Sequence, residues 1–452
     1  MTYQDAIDYL YRCAPAFHNI GAGAYKEGLA NTLALDEHFG HPHRQYRTIH
    51  VGGTNGKGSC SHTLAAILQS AGYRVGLYTS PHLLDFSERI RVNGKPIPHA
   101  YVADFVERER AFFEPLHPSF FEVTTALAFR FFADEHVDVA VVEVGLGGRL
   151  DCTNIIQPDL SVITNISLEH TALLGDTLEK IAFEKAGIIK PSTPVVIGET
   201  HPETRPVFES QAQQQHSPII FADSPLPPHH PENPANPEIP ENPENPDFPV
   251  FPEIPENPEN PAPPVLQLKG LYQQKNARTI LCAVSQLRRL GYALSDDSIR
   301  EGFAHVCDLT GLMGRWQQVG EHPTVICDIG HNAGGLQDNI RQLKQQSCRM
   351  LRIVLGFVDD KDIRPVLNAM PRYATYYLAQ PSTHRALKSH TLYALARCYG
   401  LKGREFTSVG EAFAAAQNDA APDDFIFVGG SNFVVADFLK SYDSKVTSFV
   451  GS

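Results

Sequence analysis

Apolar residues follow two spacings that alternate along the first part of the chain. The stretches 2–18 and 26–39 carry apolar residues at helical spacing, which predicts two amphipathic helices. Residues 137–144 (VDVAVVEV) form a nearly continuous β-branched run, which is typical of a parallel strand covered on both faces. A buried helix is expected at 120–132, and further strands at 72–80, 161–166, 194–197 and 218–222. This alternation predicts an α/β fold with a mostly parallel sheet.

The same alternation returns in the last third of the chain. Helical patterns at 276–290 and 296–306 lead into a glycine-punctuated turn, 310–316, which we expect to be a hinge. Further strands are expected at 324–328, 351–355, 375–379 and 425–428. A chain of 452 residues is too long for one ordinary core. We expect a central domain at 1–310 and a smaller, doubly wound (Rossmann-like) α/β domain at 311–452.

A proline-rich segment interrupts the first alternation. Sixteen of the 34 prolines lie between residues 225 and 264, one at every third position from Pro231 to Pro261. Polyproline II has about three residues per turn and no core, so the segment is predicted to project as an arm. It is either a surface insertion, which costs a fold little, or a docking site for an aromatic-lined groove of a partner.

Composition excludes several classes of protein. The formal net charge of −13 argues against a nucleic-acid or membrane-surface binder, because neither acidic partner would be attracted. Eight scattered cysteines without a CxxC pair indicate reduced thiols rather than a disulfide or zinc framework. No apolar run approaches membrane-spanning length and no signal pattern opens the chain, so we expect a cytoplasmic protein.

Residues 48–59 (TIHVGGTNGKGS) are a short β-branched run followed by a glycine-rich loop with a lysine, and a helix is predicted directly after them at 60–70. Glycines let backbone N–H groups turn toward one point, and the helix N-terminus and Lys57 add positive charge, which is how nucleotide phosphates are held. The spacing departs from the common P-loop pattern, and a simple glycine-rich turn is the alternative. The candidate phosphate contacts are Thr54, Asn55, Gly56, Lys57, Gly58 and Ser59.

An acidic residue, Glu143, stands near the carboxyl end of the buried strand 137–144. Ligands of open parallel sheets bind outside this end. A buried carboxylate needs a partner, and beside a phosphate loop Mg²⁺ is the natural one because it prefers oxygen ligands. The alternative is an ion pair with Arg149.

Other polar residues follow neighbouring strands. His170 comes after the strand 161–166 and is either a metal or phosphate contact or a structural histidine. Ser80 ends the strand 72–80 and could give a hydroxyl to the metal. Lys185 lies in a helical pattern and would by default be a solvated surface lysine.

Polar residues of the C-terminal domain could close over the same nucleotide. Arg315 lies at the expected hinge, and Asp328 with His331 and Asn332 follows a strand, where the alternative is an Asx turn. The residues alone therefore predict a magnesium–nucleotide enzyme with its site in an interdomain cleft. They leave the acceptor open.

Seven motifs carry a resemblance to a known family. They are GTNGKGS (53–59), TSPHLLDFSERI (79–90), FFEVTTALAF (120–129), EVGLGGRLDCTN (143–154), ISLEHTALLGDTLEKIAFEKAGI (166–188), GRWQ (314–317) and DIGHN (328–332). In this order they resemble the folylpolyglutamate synthase/dihydrofolate synthase family of the Mur ligase superfamily, over nearly the whole chain except 225–264. The flap 79–90 points to the folate branch rather than to the cell-wall ligases.

The resemblance implies an ATP-dependent ligase. ATP would phosphorylate a substrate carboxylate, and the amine of L-glutamate would attack the acyl phosphate to give an amide, ADP and phosphate. It implies one Mg²⁺ on Ser80 and Glu143, a second on Glu143 and His170, and a carbamylated Lys185 in place of a surface lysine. Lys57, Lys185 and His170 are then the catalytic candidates.

The resemblance also implies ligand contacts. Asn276, Arg315, Asp328 and His331 would join the phosphate loop in contacting ATP. In GLYQQKNA (270–277), Tyr272 stands where the family usually has histidine. The substrate candidates are Gly28, Leu29, Pro81, His82, Phe121, Arg149, Asp151, Arg385 and Ser431, the last two for glutamate.

We therefore expect a monomeric cytoplasmic enzyme that ligates L-glutamate to dihydropteroate and to the glutamate tail of reduced folates. Two alternatives of the same class remain: only one of these activities, or a Mur-type ligase that acts on a cell-wall precursor. A nucleotide-gated binding protein that recruits a partner through its proline arm would require that Glu143 and His170 bind no metal.

Overall fold

The computed structural model describes residues 1–13, 28–224, 264–359 and 362–450, with side chains up to residue 442. Its first unit is built on eight strands: β1 (Arg47–Gly52), β2 (Val75–Tyr78), β3 (Ile90–Val92), β4 (Lys95–Pro96), β5 (Val139–Glu143), β6 (Leu160–Ile163), β7 (Val195–Ile197) and β8 (Ile219–Phe221). They lie in the order β4-β3-β2-β5-β1-β6-β7-β8. Neighbours from β2 to β8 run parallel, whereas β3 and β4 form an antiparallel edge.

Helices cover both faces of this sheet. They are α1 (Tyr3–Cys13), α2 (Ala30–His38), α3 (Lys57–Ser70), α4 (His99–Leu116), α5 (Phe120–Asp134), α6 (Thr171–Leu174), α7 (Leu178–Ala186), α8 (Arg205–Gln214), α9 (Gln273–Arg289), α10 (Asp296–Ala304) and α11 (Val306–Thr310). The start of α5 is set by a capping box between Ser119 and Glu122.

The central strand β5 explains why its sequence is almost uniformly apolar. Ala140 and Val142 pack into a core with residues of α1, α4 and α5, while Val139 and Val141 pack into a second core with residues of α3, α9 and α10. Each fully buried valine contributes about 2 kcal/mol through burial of apolar surface. The strand is therefore held from both faces, as the run at 137–144 predicts.

The second unit contains a six-stranded sheet in the order β13-β12-β11-β14-β10-β9. Its elements are β9 (Gln317–Glu321), β10 (Thr324–Asp328), α12 (Ala333–Lys344), β11 (Leu351–Leu355), α13 (Arg364–Ala369), β12 (Thr375–Ala379), α14 (Ser389–Cys398), β13 (Lys402–Phe406), α15 (Val409–Asn418), β14 (Phe425–Gly429) and α16 (Asn432–Val450). Only β9 pairs antiparallel in this sheet. Two apolar clusters on opposite faces make the unit doubly wound.

The predicted α/β fold with two such units is confirmed, and the differences lie at edges. The sequence patterns missed β3, β4, β9, β13 and the helix α4. The edge strands β9 (QQVGE) and β13 (KGREF) are largely polar and partly exposed, so they lack the apolar run by which buried strands are found. Residues 14–18 and 26–27 of the predicted helices, and the proline-rich segment through 263, lie outside the described residues.

A search for helices that could cross a lipid bilayer finds none in the part of the chain that the structure describes.

Candidate active site

The glycine-rich loop passes from β1 into α3. Gly53 and Gly56 have φ values of 133° and 85°, which glycine adopts without strain. A Cβ on Gly53 would lie 2.0 Å from Thr164 Oγ1, and one on Gly56 would lie 2.4 Å from Asn276 Oδ1. Because α3 begins at Lys57, the unpaired N–H groups of its first turn lie at this loop. The loop therefore has the shape and polarity of a phosphate cradle.

The segment after β6 holds Thr54 and Asn55 in place. Thr54 Oγ1 accepts a hydrogen bond from Ser167 N (3.1 Å), and Asn55 N donates to Asn165 Oδ1 (2.8 Å). The Asn55 side chain donates to Ser167 Oγ (3.2 Å) and accepts from Asn332 Nδ2 of the second unit (2.9 Å). Asn55 thus shapes the loop through its backbone and joins the two units through its amide.

Ser59 belongs to a buried chain of polar groups that reaches α9. Gln273 Nε2 donates to Ser59 Oγ (3.0 Å), and Asn276 Nδ2 donates to Gln273 Oε1 (2.8 Å). All three residues are buried. Asn276, a predicted nucleotide contact, therefore lies against Gly56 of the loop with its amide oriented by Gln273.

Two lysines share one carbonyl oxygen of the loop. Lys57 Nζ donates to Gly53 O (3.1 Å) and Thr54 O (2.9 Å), and Lys185 Nζ donates to Gly53 O (2.9 Å). Lys185 is only 5% exposed, so the surface lysine that its helical pattern indicates is wrong. Burial, and then the charge of Lys57, lowers the pKa of Lys185 to about 7. Much of this amine is therefore neutral near physiological pH.

Glu143 ends the central strand β5 and is 3% exposed. Its carboxylate accepts a hydrogen bond from Ser80 N (3.1 Å). Burial raises the pKa of Glu143, and Lys57, the Ser80 N–H and Arg315 oppose the rise. The acid therefore lies among cationic groups of the phosphate loop and of the second unit.

Arg149 does not pair with Glu143, so the ion pair considered from the sequence is wrong. Its Nη2 lies 2.8 Å from Glu184 Oε1 at the end of α7. Two glycines allow this close packing: a Cβ on Gly148 would lie 2.8 Å from Glu184 O, and one on Gly187 would lie 2.4 Å from Arg149 Cα. The contact brings the end of α7, and with it Lys185, to the phosphate loop.

One carboxylate organises the flap between β2 and β3. Glu88 accepts hydrogen bonds from the three successive backbone N–H groups of residues 83–85, each at 2.8 Å. The buried Arg89 donates to His82 Nδ1 (2.7 Å) and lies over the Phe120 ring. The flap is thus a fixed structure rather than a loose loop.

An open cleft of about 500 Å³ lies between the two units. A Cβ on Gly58 would lie 3.0 Å from Arg315 Nη2 and 3.9 Å from both Glu143 oxygens, so loop, acid and arginine meet here. Residues of the flap complete the cleft. Its lining consists of Gly58, His62, Thr79, Ser80, Pro81, His82, Leu83, Glu88, Glu143, Leu312, Met313, Arg315, Ile329 and Asn432.

Asp328 organises the adjoining turn of the second unit. Its Oδ2 accepts from Tyr272 OH (2.6 Å) and Trp316 N (2.7 Å), and its Oδ1 accepts from Gly330 N (2.8 Å) and Asn339 Nδ2 (2.6 Å). Both oxygens are therefore engaged by protein donors. The carboxylate fixes the turn that carries the cleft arginine, and its contact with ATP stays a prediction.

His331 and Glu169 connect the same edges of the two units. His331 Nε2 lies 3.0 Å from Glu169 Oε1, and its Nδ1 lies 3.0 Å from Ile329 O. His170, the next residue, is half-buried with φ 52° and precedes α6. His331 and the segment that carries His170 are thus brought together, and their ligand contacts stay predictions.

Two substrate candidates pack around the loop that follows β5. A Cβ on Gly145 would lie 2.3 Å from the Phe121 ring, so this ring covers the start of the loop. Asp151 is buried and accepts hydrogen bonds from Leu146 N (2.8 Å) and Thr153 N (3.0 Å). Asp151 therefore shapes the loop, and its carboxylate is largely used for that purpose.

Like Phe121, Arg149 and Asp151, the four remaining substrate candidates lie outside the cleft lining. Gly28 and Leu29 immediately precede α2. Arg385 lies in the loop after β12, where its carbonyl accepts from Asp359 N (2.8 Å). Ser431 is buried and accepts a hydrogen bond from a backbone N–H in the first turn of α16 (3.3 Å). The roles of these four residues stay predictions.

Sequence reasoning did not single out Glu88, Arg89 or Tyr272 as positioning residues. Asp85 and Glu88 have the spacing of a capping box, which could have revealed the turn in the flap. Nothing in the sequence around Tyr272 indicates that it reaches Asp328, because 56 residues separate them.

The residues present fit a nucleotide and a divalent cation. Glu143 is a buried carboxylate at the cleft, which is the kind of oxygen ligand that Mg²⁺ prefers. At Gly53 and Gly56 the neighbouring Thr164 and Asn276 side chains leave no room for a Cβ, so the loop is held as bare backbone, as in phosphate-binding loops.

Known proteins share the sequence and the fold. The profile of the Mur ligase middle domain matches residues 51–223, and that of the Mur ligase glutamate ligase domain matches residues 314–432. The folylpolyglutamate synthase of Lacticaseibacillus casei is 34% identical over 414 residues, or 89% of this chain and 92% of that protein. The dihydrofolate synthase/folylpolyglutamate synthase of Bacillus subtilis is 30% identical over 456 residues, or 97% and 98%.

A solved structure agrees with these matches. A bifunctional folylpolyglutamate synthase/dihydrofolate synthase with Mn, AMPPNP and L-glutamate bound superimposes with a TM-score of 0.79 at 28% identity, and the alignment covers 98% of both chains.

Proposed function

The chain belongs to the folylpolyglutamate synthase/dihydrofolate synthase family of Mur ligases, and from that premise we propose how its residues carry out ATP-dependent ligation of L-glutamate. We infer that it uses two acceptors, dihydropteroate and the glutamate tail of reduced folates. The observation that carries the proposed ATP-dependent ligation is the grouping of Lys57, Lys185 and Glu143 at a glycine-rich loop that opens into the interdomain cleft.

The reaction has two steps. The acceptor carboxylate attacks the γ-phosphorus of ATP, which gives an acyl phosphate and ADP; the glutamate amine then attacks the acyl carbon and phosphate leaves. The backbone of 53–59 and the N-terminus of α3 hold the phosphates, and Lys57 neutralises charge on the transferred group. Arg315 reaches the same point from the second unit.

We propose that Glu143, with Ser80 and His170, holds the divalent cation, and that two ions are used. When bound, Mg²⁺ supplies positive charge that polarises the phosphate oxygens. Asn276, Arg315, Asp328 and His331 are assigned to the nucleotide. The burial of Glu143 at the cleft supports this assignment, since a bound cation would add to the compensation that Lys57 and Arg315 give its charge.

We propose that Lys185 is carbamylated. Its neutral amine would add to CO₂ and release one proton, which converts an amine into a carbamate anion. The lowered pKa supports this step, because only the unprotonated amine has the lone pair that attacks CO₂. The carbamate would place an acidic group at the phosphate loop, close to Lys57.

We assign the acceptor to the side of the flap and glutamate to the second unit, with the division between the units at residue 311. Flap residues Pro81 and His82 line the cleft, which supports a role in positioning the acceptor. Arg385 and Ser431 remain the glutamate candidates. We further propose that the enzyme acts on small molecules as a cytoplasmic monomer.

The test is phosphate release from ATP with Mg²⁺ and L-glutamate, with dihydropteroate or tetrahydrofolate as acceptor. Release with both acceptors supports the proposal of two activities. Release with tetrahydrofolate alone would limit the protein to the activity named for the Lacticaseibacillus casei relative. Release with neither, but with a cell-wall precursor, would overturn the folate assignment. In each arm Lys57→Ala should abolish release.

A further inference from the structure

Two histidines and an aspartate converge outside the cleft, between α2 and β1. Asp36 lies in the last turn of α2, His41 follows this helix, and His43 lies in the short 3₁₀ turn Pro42–Gln45. Asp36 Oδ2 lies 2.6 Å from His41 Nδ1 and 3.3 Å from His43 Nε2. One possible ligand atom of each residue lies within 4.8 Å of the other two.

The hydrogen bonds within this cluster do not satisfy all of its buried polar atoms. The side chains of Asp36 and His43 are 5% and 7% exposed. Asp36 Oδ1 is buried and lies 3.3 Å from His43 Nε2, but it accepts no hydrogen bond from the described residues, although a carboxylate oxygen has two acceptor positions. The His41 side chain is 38% exposed, so the cluster can be reached from solvent.

The backbone holds the three side chains in place before any ligand binds. His41 has φ 56°, and its N–H donates to Asp36 O (2.8 Å), which closes the turn after α2. Pro42 follows directly and limits the freedom of the step to His43. A stretch of eight residues thus presents three ligands from a rigid turn.

We propose that Asp36, His41 and His43 form a binding site for a divalent transition metal, best matched by Zn²⁺ and separate from the catalytic cation. Two imidazole nitrogens and one carboxylate oxygen suit zinc, whereas magnesium prefers oxygen ligands alone. Ligand atoms of a tetrahedral zinc are about 3.3 Å apart, given zinc–ligand distances near 2.0 Å. The two distances from Asp36 to the histidines need only a small opening, and the two imidazole nitrogens lie within 4.8 Å of each other. A water on the exposed side of His41 would complete the four ligands.

The competing interpretation is a hydrogen-bonded cluster in which Asp36 only orients the two imidazoles.

The experiment that separates the two interpretations uses the full chain without a histidine tag, in excess Mg²⁺ so that the catalytic cation site is occupied. Zinc is added, the protein is dialysed, and bound zinc per chain is measured by elemental analysis. In a parallel sample Co²⁺ is added in place of zinc, and its absorption in the visible range reports the coordination geometry.

We expect about one zinc per wild-type chain and less than about 0.1 per chain in His41→Ala and His43→Ala, since each removes a ligand. His38→Ala is the matched control, because His38 lies in the same helix end but pairs with Glu109, and it should retain zinc. Added zinc should raise the melting temperature of the wild type and of His38→Ala alone.

A wild-type chain that retains no zinc, or histidine variants that retain as much as the wild type, would overturn the proposal. If His43→Ala does not fold, His41→Ala decides, since His41 is partly exposed and circular dichroism can verify its fold.

Discussion

The amine of Lys185 lies in a buried site where protonation is unfavourable. It is buried against the phosphate loop, its Nζ donates to Gly53 O, and Lys57 lies close by. The pKa of about 7 in the folded chain is well below the ordinary value of 10.5. At the scale of the residue, burial therefore determines the reactivity of a side chain whose sequence context is that of any helix surface.

The titration of Lys185 predicts a pH dependence of stability. Between pH 7 and 10.5 the unfolded chain binds more protons at this position than the folded chain, so stability rises with pH. From pH 7 to 9 the wild type should gain about 2 kcal/mol relative to Lys185→Met, which keeps the side-chain volume but cannot titrate. Urea unfolding in CO₂-free buffer measures this difference. Parallel pH profiles of the two proteins would contradict it.

Lys185→Met should also lower turnover by about 100-fold or more, if the residue supplies a carbamate beside the metal. The proposed modification itself is checked by the mass of the native wild-type protein in bicarbonate. A wild-type rate in the variant would exclude the catalytic role.

Tyr272→Phe removes one of four donors to Asp328 and tests positioning of the cleft arginine. We expect a loss of about 1.5 kcal/mol in the free energy of unfolding and about a 10-fold higher KM for ATP, because the turn at 314–316 is less constrained. Tyr292→Phe is the control: it loses a comparable bond to Asp159 (2.9 Å) and should lower stability without changing that KM. Equal KM values for the two variants would exclude a positioning role.

At the scale of the element, the flap depends on a single carboxylate. Glu88 accepts three backbone N–H groups, so a side chain from the end of the segment fixes its beginning. Such an arrangement keeps a polar segment ordered around the short 3₁₀ helix Phe86–Arg89.

Glu88→Gln should weaken this order, because an amide has one acceptor oxygen where the carboxylate has two. We expect the KM for the folate acceptor to rise about 10-fold while the KM for ATP changes little. Steady-state kinetics with each substrate varied in turn measure this. Glu109→Gln serves as the control, because this partly exposed glutamate of α4 pairs with His38 away from the flap. A uniform loss of kcat with unchanged KM values would point to a different role.

The sequence predicts buried elements well and edges poorly. The run at 137–144 identifies β5 because alternate residues face two cores, and apolar residues are needed on both faces. The pattern does not predict β9 and β13, because polar residues of these edge strands face solvent. Glu143 could be identified from its place at a strand end, whereas the depth of Lys185 could not, since it depends on glycines 148 and 187 packing two distant segments together.

At the scale of the whole molecule, contacts such as the ion pair of Lys275 with Asp338 join the two units, and three hydrogen bonds between side chains do so near the cleft. They are Asn55 with Asn332, Glu169 with His331, and Tyr272 with Asp328. Each connects residues far apart in the chain, so no periodicity or spacing could have predicted them. The polar residues that follow strands in both units indicate only that both contribute to one site.

The proline-rich segment should be dispensable for turnover. Ile220 and Ala222 before it and Leu266 after it belong to the same apolar cluster, so both flanks are anchored independently of the segment. Replacing residues 227–262 with a glycine–serine linker should leave kcat and KM within about twofold of the wild type. Loss of activity in a variant that still folds would contradict this, and loss of a bound partner alone would identify the segment as a docking arm.

Asn55 contacts both the phosphate loop and the second unit, and this has a thermodynamic consequence. The residue that shapes the phosphate loop also holds the second unit, so occupancy of the loop and association of the units share a coupling free energy. Linkage is reciprocal: if docking of the units tightens nucleotide binding, bound nucleotide favours the docked form by the same factor. Part of any cooperativity between the two halves of the enzyme would then pass through this amide group.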